Sequence, residues 1–177
     1  FVNDILETIG KLNEEAFEKF GFTFNIEQVP AEKAAVTLAE KDNLLYGTDY
    51  VLYSNQWLPL TTDTDMLNRI IYSGMFDKKV SGGAILHINV DAPFRTEEES
   101  WNMINLVAQM GVMYFAFNQK ISVCEEGHAF YGEQCPTCGK KKIDEYVRIV
   151  GYLVPVRSFN KTRQKMEYPK RVFYKTM

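Results

Sequence analysis

Apolar residues recur at spacings of three and four from the first turn onward. Val2, Ile5, Leu6, Ile9, Leu12, Ala16, Phe17 and Phe20 form the stripe of an amphipathic helix that Gly21 ends. Phe22 to Ile26 then alternates as a strand does. Pro30-Ala31-Glu32 opens a second helix with Ala34, Ala35, Leu38 and Ala39 on one face, and Leu44-Leu45-Tyr46-Gly47 closes it. Asp63 or Thr64 caps a third helix through Met66, Leu67, Ile70 and Ile71, with Gly74 as its end. After Gly82-Gly83, the nearly continuous apolar run from Ala84 to Val90 reads as a buried strand. Thr96 with Glu99 makes a capping box for a helix through Trp101, Ile104, Leu106, Val107 and Met110, and Gly111 leads into strand-like Val112 to Phe117. Strand, helix, buried strand is the order of a βαβ unit, which predicts an α/β class with parallel strands covered by helices.

The chain has 177 residues, 46% of them hydrophobic and 24% charged, which suits one domain with a sizeable core or a piece of something larger and argues against disorder. Its apolar runs fall short of the roughly 18 residues a bilayer span needs, and the first residues lack a basic region followed by an apolar one. Membrane insertion and a secretory signal are therefore not expected. Phe1 sits inside a helix already under way, so the chain reads as part of a longer protein, cut or cleaved upstream.

Twenty basic against 23 acidic residues give a net charge of −3, which argues against a dedicated nucleic-acid binder. The charge is unevenly spread. From Gly139 to Met177 there are 11 Lys and Arg against three acids, a net +8, so the rest of the chain carries −11. Such a tail either docks on the acidic body of its own protein or lies near a polyanion, a nucleoside triphosphate or a nucleic-acid backbone.

All three cysteines fall within the string Cys124-Glu-Glu-Gly-His128 followed by Cys135-Pro-Thr-Cys138-Gly139, together with one of the two histidines. Three thiolates and an imidazole make a closed tetrahedral set for Zn²⁺, and two residues between Cys135 and Cys138 let both sulfurs converge on one ion. Gly139 allows the tight turn in which amides point at sulfur. Four protein ligands leave no open position, so the metal would fold the segment and not do chemistry. A redox Cys-x-x-Cys beside an unrelated Cys and His is the other reading, and three cysteines cannot all pair in disulfides.

Downstream lie Arg148-Ile-Val-Gly151-Tyr152, then Val154-Pro155-Val156 and Phe159-Asn160 before a basic stretch. Taken alone, Gly151 is a turn or bulge glycine, and His87 in its apolar strand is a core histidine. The order of knuckle, Arg-x-x-Gly-Tyr, Pro-Val and aromatic-Asn, however, resembles the C-terminal end of the anaerobic (class III) ribonucleoside triphosphate reductases, which are glycyl radical enzymes. The resemblance is specific from about Asn118 to Tyr174. It is weaker over Glu27 to Glu32, Tyr53-Ser54-Asn55-Gln56, and Ser81-Gly82-Gly83 with His87.

That resemblance implies the second half of a ten-stranded α/β barrel over residues 1–119, a zinc-binding knuckle over 120–142, and a radical loop with a basic tail over 143–177. It implies a stored radical on Gly151, in a loop shaped by Arg148 and Tyr152, and zinc held by Cys124, His128, Cys135 and Cys138. A nucleotide site lined by Glu32, Tyr53, Asn55 and His87 is implied as well. The radical would be installed by a separate activating enzyme that uses S-adenosylmethionine and an iron–sulfur cluster, and would pass to a cysteine whose thiyl takes hydrogen from the ribose 3′ carbon. Glycine suits this chemistry because the radical is shared between the flanking amides and needs a planar Cα without a crowding Cβ. Val150, Leu153 and Val154 would keep it dry, with zinc holding the base of the loop. Many family members carry two Cys-x-x-Cys pairs, whereas Cys124 and His128 stand in for the first pair here. No cysteine remains for the thiyl role and no ATP-sensing module is present, so the N-terminal half of the same subunit is an implied partner. A homodimer of the full subunit, a ribonucleoside triphosphate substrate and a cytoplasmic location are implied too. A zinc-ribbon nucleic-acid module with a basic tail is the alternative function.

Overall fold

Leu86, Ile88 and Val90 alternate with His87 and Asn89, so one face of this strand is apolar and the other carries polar groups, yet both faces are buried. The computed structural model describes every residue except Pro30, Val150 and Met177, and the side chain of Glu32 also lies outside the described residues. In chain order the elements are α1 (Val2–Phe20), α2 (Glu32–Tyr46), α3 (Met66–Asp77), β1 (Leu86–Asn89), α4 (Glu97–Gln109) and β2 (Phe115–Asn118). Then come β3 (Ile121–Cys124), β4 (Ala129–Phe130), β5 (Lys142–Ile149) and β6 (Tyr152–Pro155), followed by short helical turns up to Lys170.

β1 and β2 pair in parallel, Leu86 opposite Phe115 through Asn89 opposite Asn118, with α4 as the crossover, so the expected βαβ unit is present. The apolar face of β1 joins Ile70 of α3 and Val107 of α4 in the main core. The opposite face turns His87, Asn89 and Asn118 toward the second sheet, where Asn118 Nδ2 donates to Asn89 Oδ1 (2.8 Å) and Asn118 Oδ1 accepts from the Arg148 amide (2.8 Å). That second sheet is antiparallel, in the order β4-β3-β5-β6. The mixed α/β class is therefore as expected.

Three sequence expectations fail locally. Phe22 to Ile26 is not a strand: the Asn13 side chain takes both the amide and the carbonyl of Phe24 (2.6 and 2.7 Å), which clasps the segment to α1 and leaves only a bridge from Glu27 to Gly83. The cap of α3 is Asp65, whose Oδ1 accepts from the Asn68 amide (2.8 Å). Gly74 does not end that helix. It lies inside it, where a Cβ would meet the Met110 carbonyl oxygen at 2.1 Å, so glycine there permits close packing of α3 on the end of α4.

The basic tail docks mainly through its backbone. The Tyr174 amide donates to the Asn89 carbonyl and the Asp91 amide to the Tyr174 carbonyl, both at 2.9 Å, which lays the tail along β1 on the side away from β2. Several of its cations pair locally: Lys140 with Glu125 and Glu126, Lys142 with Glu133 and Glu145, and Arg163 and Arg171 with Glu167.

Candidate functional site

At the end of β3, the Gly127 amide donates to the Cys124 carbonyl (2.9 Å) and the Cys124 amide to that of His128 (3.2 Å), with Gly127 at φ 78°. A matching turn follows, in which the Cys135 amide donates to Lys140 (2.8 Å) and the Gly139 amide to Cys135 (2.9 Å), with Gly139 at φ 73°. Lys140 bridges the two turns through Glu125 (3.2 Å) and Glu126 (2.6 Å). The ligand atoms of Cys124, His128, Cys135 and Cys138 all lie within 4.8 Å of one another. His128 Nδ1 is 3.6 Å from the sulfurs of both Cys124 and Cys135, and Cys124 Sγ is 3.6 Å from Cys138 Sγ. A zinc tetrahedron has S···S edges of about 3.8 Å and S···N edges of about 3.6 Å, so the donor set fits that ion. Burial pushes the Cys135 thiol up, but the amides of Cys138 and Thr137, with the Cys138 and His128 side chains, outweigh it and bring the group down to about 6. Such a cysteine is readily a thiolate, the form a metal binds.

β5 continues from this knuckle to a hairpin with β6, in which Ile149 pairs with Tyr152 and Arg148 with Leu153. Gly151 occupies the exposed turn between them. Its φ lies outside the left-handed region, and a Cβ added there would meet nothing within 4 Å. Among the described residues, neither a left-handed backbone nor close packing demands glycine at this position. Arg148 and Tyr152 fall on opposite faces of the hairpin.

Two expectations about this loop are corrected. Val150 lies outside the described residues, Leu153 is 49% exposed and Val154 is partly buried on the Val147 cluster, so the described residues build no dry enclosure around Gly151. The knuckle is not at the base of the loop either. Lys142, opposite Cys124, begins β5 and Gly151 follows its end, which separates them by on the order of 30 Å of extended strand.

The candidate nucleotide residues are only partly brought together. Tyr53 and Asn55 line a cavity of about 290 Å³ whose far wall is Arg163, Met166, Glu167 and Lys170. The Tyr53 hydroxyl donates to Asp42, which, with burial, pushes the phenol up to about 12. A second cavity, of about 500 Å³, adjoins the hairpin through Ile149, Tyr152 and Val154 and reaches Lys33 and Thr37 of α2; Arg163 lines both cavities. Glu32, at the start of α2, falls outside the described side chains. His87 lines neither cavity. It is buried on β1, where desolvation and then the charges of Arg171 and Arg148 bring its ring down to about 4, so it is a neutral group beside the strand that leads to Gly151. The Gln56 side chain ties it to the Tyr53–Asn55 loop by accepting from its amide (3.1 Å).

Gln56, Asn89, Asn118 and the buried Glu167–Arg171 pair were not singled out from the sequence. The signal existed for Asn89: a polar residue two places from His87 in an apolar strand shares its face.

The model of the family described as anaerobic ribonucleoside-triphosphate reductase matches residues 1–174. The chain belongs to that family. A solved chain described as anaerobic ribonucleotide reductase is 65% identical, with a TM-score of 0.88, over 100% of this chain. The Thermotoga maritima anaerobic ribonucleotide reductase with glycerol in its active site is 67% identical, with a TM-score of 0.79, over 96% of this chain and 28% of its own. The same reductase in complex with dATP and CTP is 66% identical, with a TM-score of 0.77, over 94% of this chain and 28% of its own. This chain thus spans 29% of the length of the first of these relatives and 28% of the other two. No curated protein matches it. Among the described residues, no helix is long and apolar enough to cross a membrane.

Proposed function

We propose that this chain is the glycyl-radical-bearing part of an anaerobic ribonucleotide reductase that converts ribonucleoside triphosphates to 2′-deoxyribonucleoside triphosphates. It acts with an upstream, cysteine-bearing half of the same subunit and a separate radical-installing activating enzyme. The observation that carries the reading is Gly151: within a reductase-family chain, a glycine with open space around its Cα sits at an exposed hairpin tip, which supports a role for the chemistry of that Cα. Gly151 gives up a Cα hydrogen during activation and holds the unpaired electron between its two flanking amides. Arg148 and Tyr152, on opposite faces, orient the strands that present it.

Residues 1–119 form part of the α/β barrel, and the upstream half supplies the remaining strands and the dry cover that this chain lacks at Gly151. Residues 120–142 form a structural zinc knuckle, with the ion held by Cys124, His128, Cys135 and Cys138 so that the β3 and β5 strand ends stay in register. Residues 143–177 carry the radical hairpin and the tail. Tyr53 and Asn55 border the nucleotide site through the cavity they line, His87 is a neutral group tied to their loop by Gln56, and Glu32 is assigned to the site on the family resemblance alone. A triphosphate substrate is supported by the Thermotoga maritima relative, whose complex contains CTP and dATP. The protein acts in the cytoplasm as a homodimer of the full subunit. Family membership sets the nucleic-acid module aside, and the local pairing of Lys140, Lys142 and Arg171 agrees with that.

The test is anaerobic turnover. The full subunit with its activating enzyme should convert CTP to dCTP, and Gly151→Ala should abolish conversion while leaving zinc content and CTP binding unchanged. Turnover by the Gly151→Ala protein would refute the assignment.

A further inference from the structure

Among the described residues, β6 is the edge strand of its sheet, and its backbone pairs with β5 alone. What holds it from below is a side-chain cluster. Val147 and its cross-strand partner Val154, with Ile149, lie on one face and meet Phe159 and Tyr168 of the C-terminal segment. Such apolar contact keeps the hairpin down but is non-directional and does not fix where its tip points.

A directional tie accompanies it. Glu145 precedes Val147 by two residues and shares its face, and its Oε1 accepts from the Tyr168 hydroxyl while Oε2 accepts from Lys142 (2.6 Å). The Tyr168 ring is fixed from the other side. It stands edge-to-face on Phe159 at 5.9 Å, and the Arg171 guanidinium lies 5.3 Å from its centroid. Arg171 is in turn held by the buried Glu167 carboxylate through Nε (2.6 Å) and Nη2 (3.0 Å). Tyr168 follows a π-helical turn, Arg163–Glu167, a rare geometry that recurs at functional sites. Beyond Arg171 the segment is anchored on β1 by Tyr174.

We propose that the Tyr168–Glu145 contact is a latch that fixes the hairpin against the C-terminal segment, making Tyr168 and Glu145 positioning residues for the radical chemistry. The idea rests on the reading of Gly151 as the radical site. The latch ties β5 at Glu145, six residues before Gly151, to a segment itself fixed to β1, so it sets the angle at which the tip meets the rest of the subunit. Without the hydroxyl, the valine contacts remain but the direction is lost.

The experiment uses the full-length subunit, first unactivated. Tyr168→Phe, which removes one oxygen and keeps the ring, should speed amide exchange at least tenfold over residues 146–149 and 152–154. Zinc content and exchange in α3 and α4 should stay within twofold of wild type. Glu145→Ala should do the same, whereas Glu145→Gln, which retains an acceptor for the hydroxyl, should remain within threefold of wild type. Hairpin exchange within twofold of wild type in Tyr168→Phe would overturn the latch. So would faster exchange spread evenly over the chain, or Glu145→Gln behaving like Glu145→Ala, which would assign the effect to the Lys142 charge pair. After activation, the Tyr168→Phe glycyl signal should decay in air at least threefold faster than wild type, and an unchanged decay would overturn the positioning role. Failure of the wild-type subunit to give any glycyl signal would instead count against the radical reading, since the exchange measurements do not depend on it.

Discussion

Cys138→Ser removes one of four convergent ligand atoms, and the structure specifies how far the damage should travel. Among the described residues, the apolar core beneath the knuckle is Cys124, Phe130 and Cys135, with no larger cluster of buried side chains there to replace the metal as an organising centre. Apparent binding energies of structural zinc are about 10–16 kcal/mol and are coupled to folding, so a weakened site should lose at least about 3 kcal/mol of local stability, roughly a hundredfold in amide exchange. The exchange should rise most at the amides of Cys124, Gly127, Cys135 and Gly139, whose bonds close the two turns. It should rise little at Arg148, whose amide is held by Asn118 far along β5, or over residues 152–154. Hydrogen-exchange mass spectrometry of the full subunit, with metal analysis of the same samples, reads both effects. Full zinc occupancy after Cys135→Ser with Cys138→Ser would refute the ligand assignment. Equal acceleration at the knuckle and at the hairpin tip would refute the inference that the two ends of β5 are separately anchored.

Two further outcomes are expected. Gly74→Ala should gain about 1 kcal/mol of helix propensity but lose more to the clash with the Met110 carbonyl, for a net loss of about 1–3 kcal/mol, seen as faster exchange in α3 and α4. A gain in protection would show that α4 yields freely. His87 is depressed from 6.5 to about 4, so the unfolded chain binds its proton first and stability should fall as pH drops from about 6.5 toward 4, by up to about 3 kcal/mol in all. The loss of thermal midpoint over that range should therefore be smaller in His87→Phe than in wild type, and parallel pH profiles would contradict this.

The parts legible in the sequence were those where one residue type has one use. Cys124, His128, Cys135 and Cys138 announced a cluster because thiols and imidazole at those spacings have few other roles, and Thr96 caps α4 as its spacing with Glu99 suggested. Gly74 misled because a glycine near a helix end reads as a stop, whereas the approach of Met110, distant in sequence, is what requires it. Phe22 to Ile26 alternated correctly, but the Asn13 clasp, an i to i+11 contact, removed its backbone from any ladder. The knuckle and Gly151 looked adjacent because they are close in sequence; an extended strand placed them at opposite ends. The tail's charge was readable, but its pairing with Glu125, Glu126 and Glu133 came from turn geometry that composition does not encode.

The most direct measurement is the response of the activated full subunit to air. A glycyl radical exposed to oxygen cleaves its own backbone, so the wild-type protein should show a doublet electron-resonance signal before exposure. Afterwards it should release a basic fragment that begins at Tyr152, while an unactivated sample stays whole. Because a Cβ at position 151 meets nothing, Gly151→Ala should fold with unchanged zinc content and hairpin exchange, yet show neither signal nor cleavage. A full-strength doublet in that variant, or cleavage of the wild type at another position, would place the radical elsewhere and contradict the assignment of Gly151.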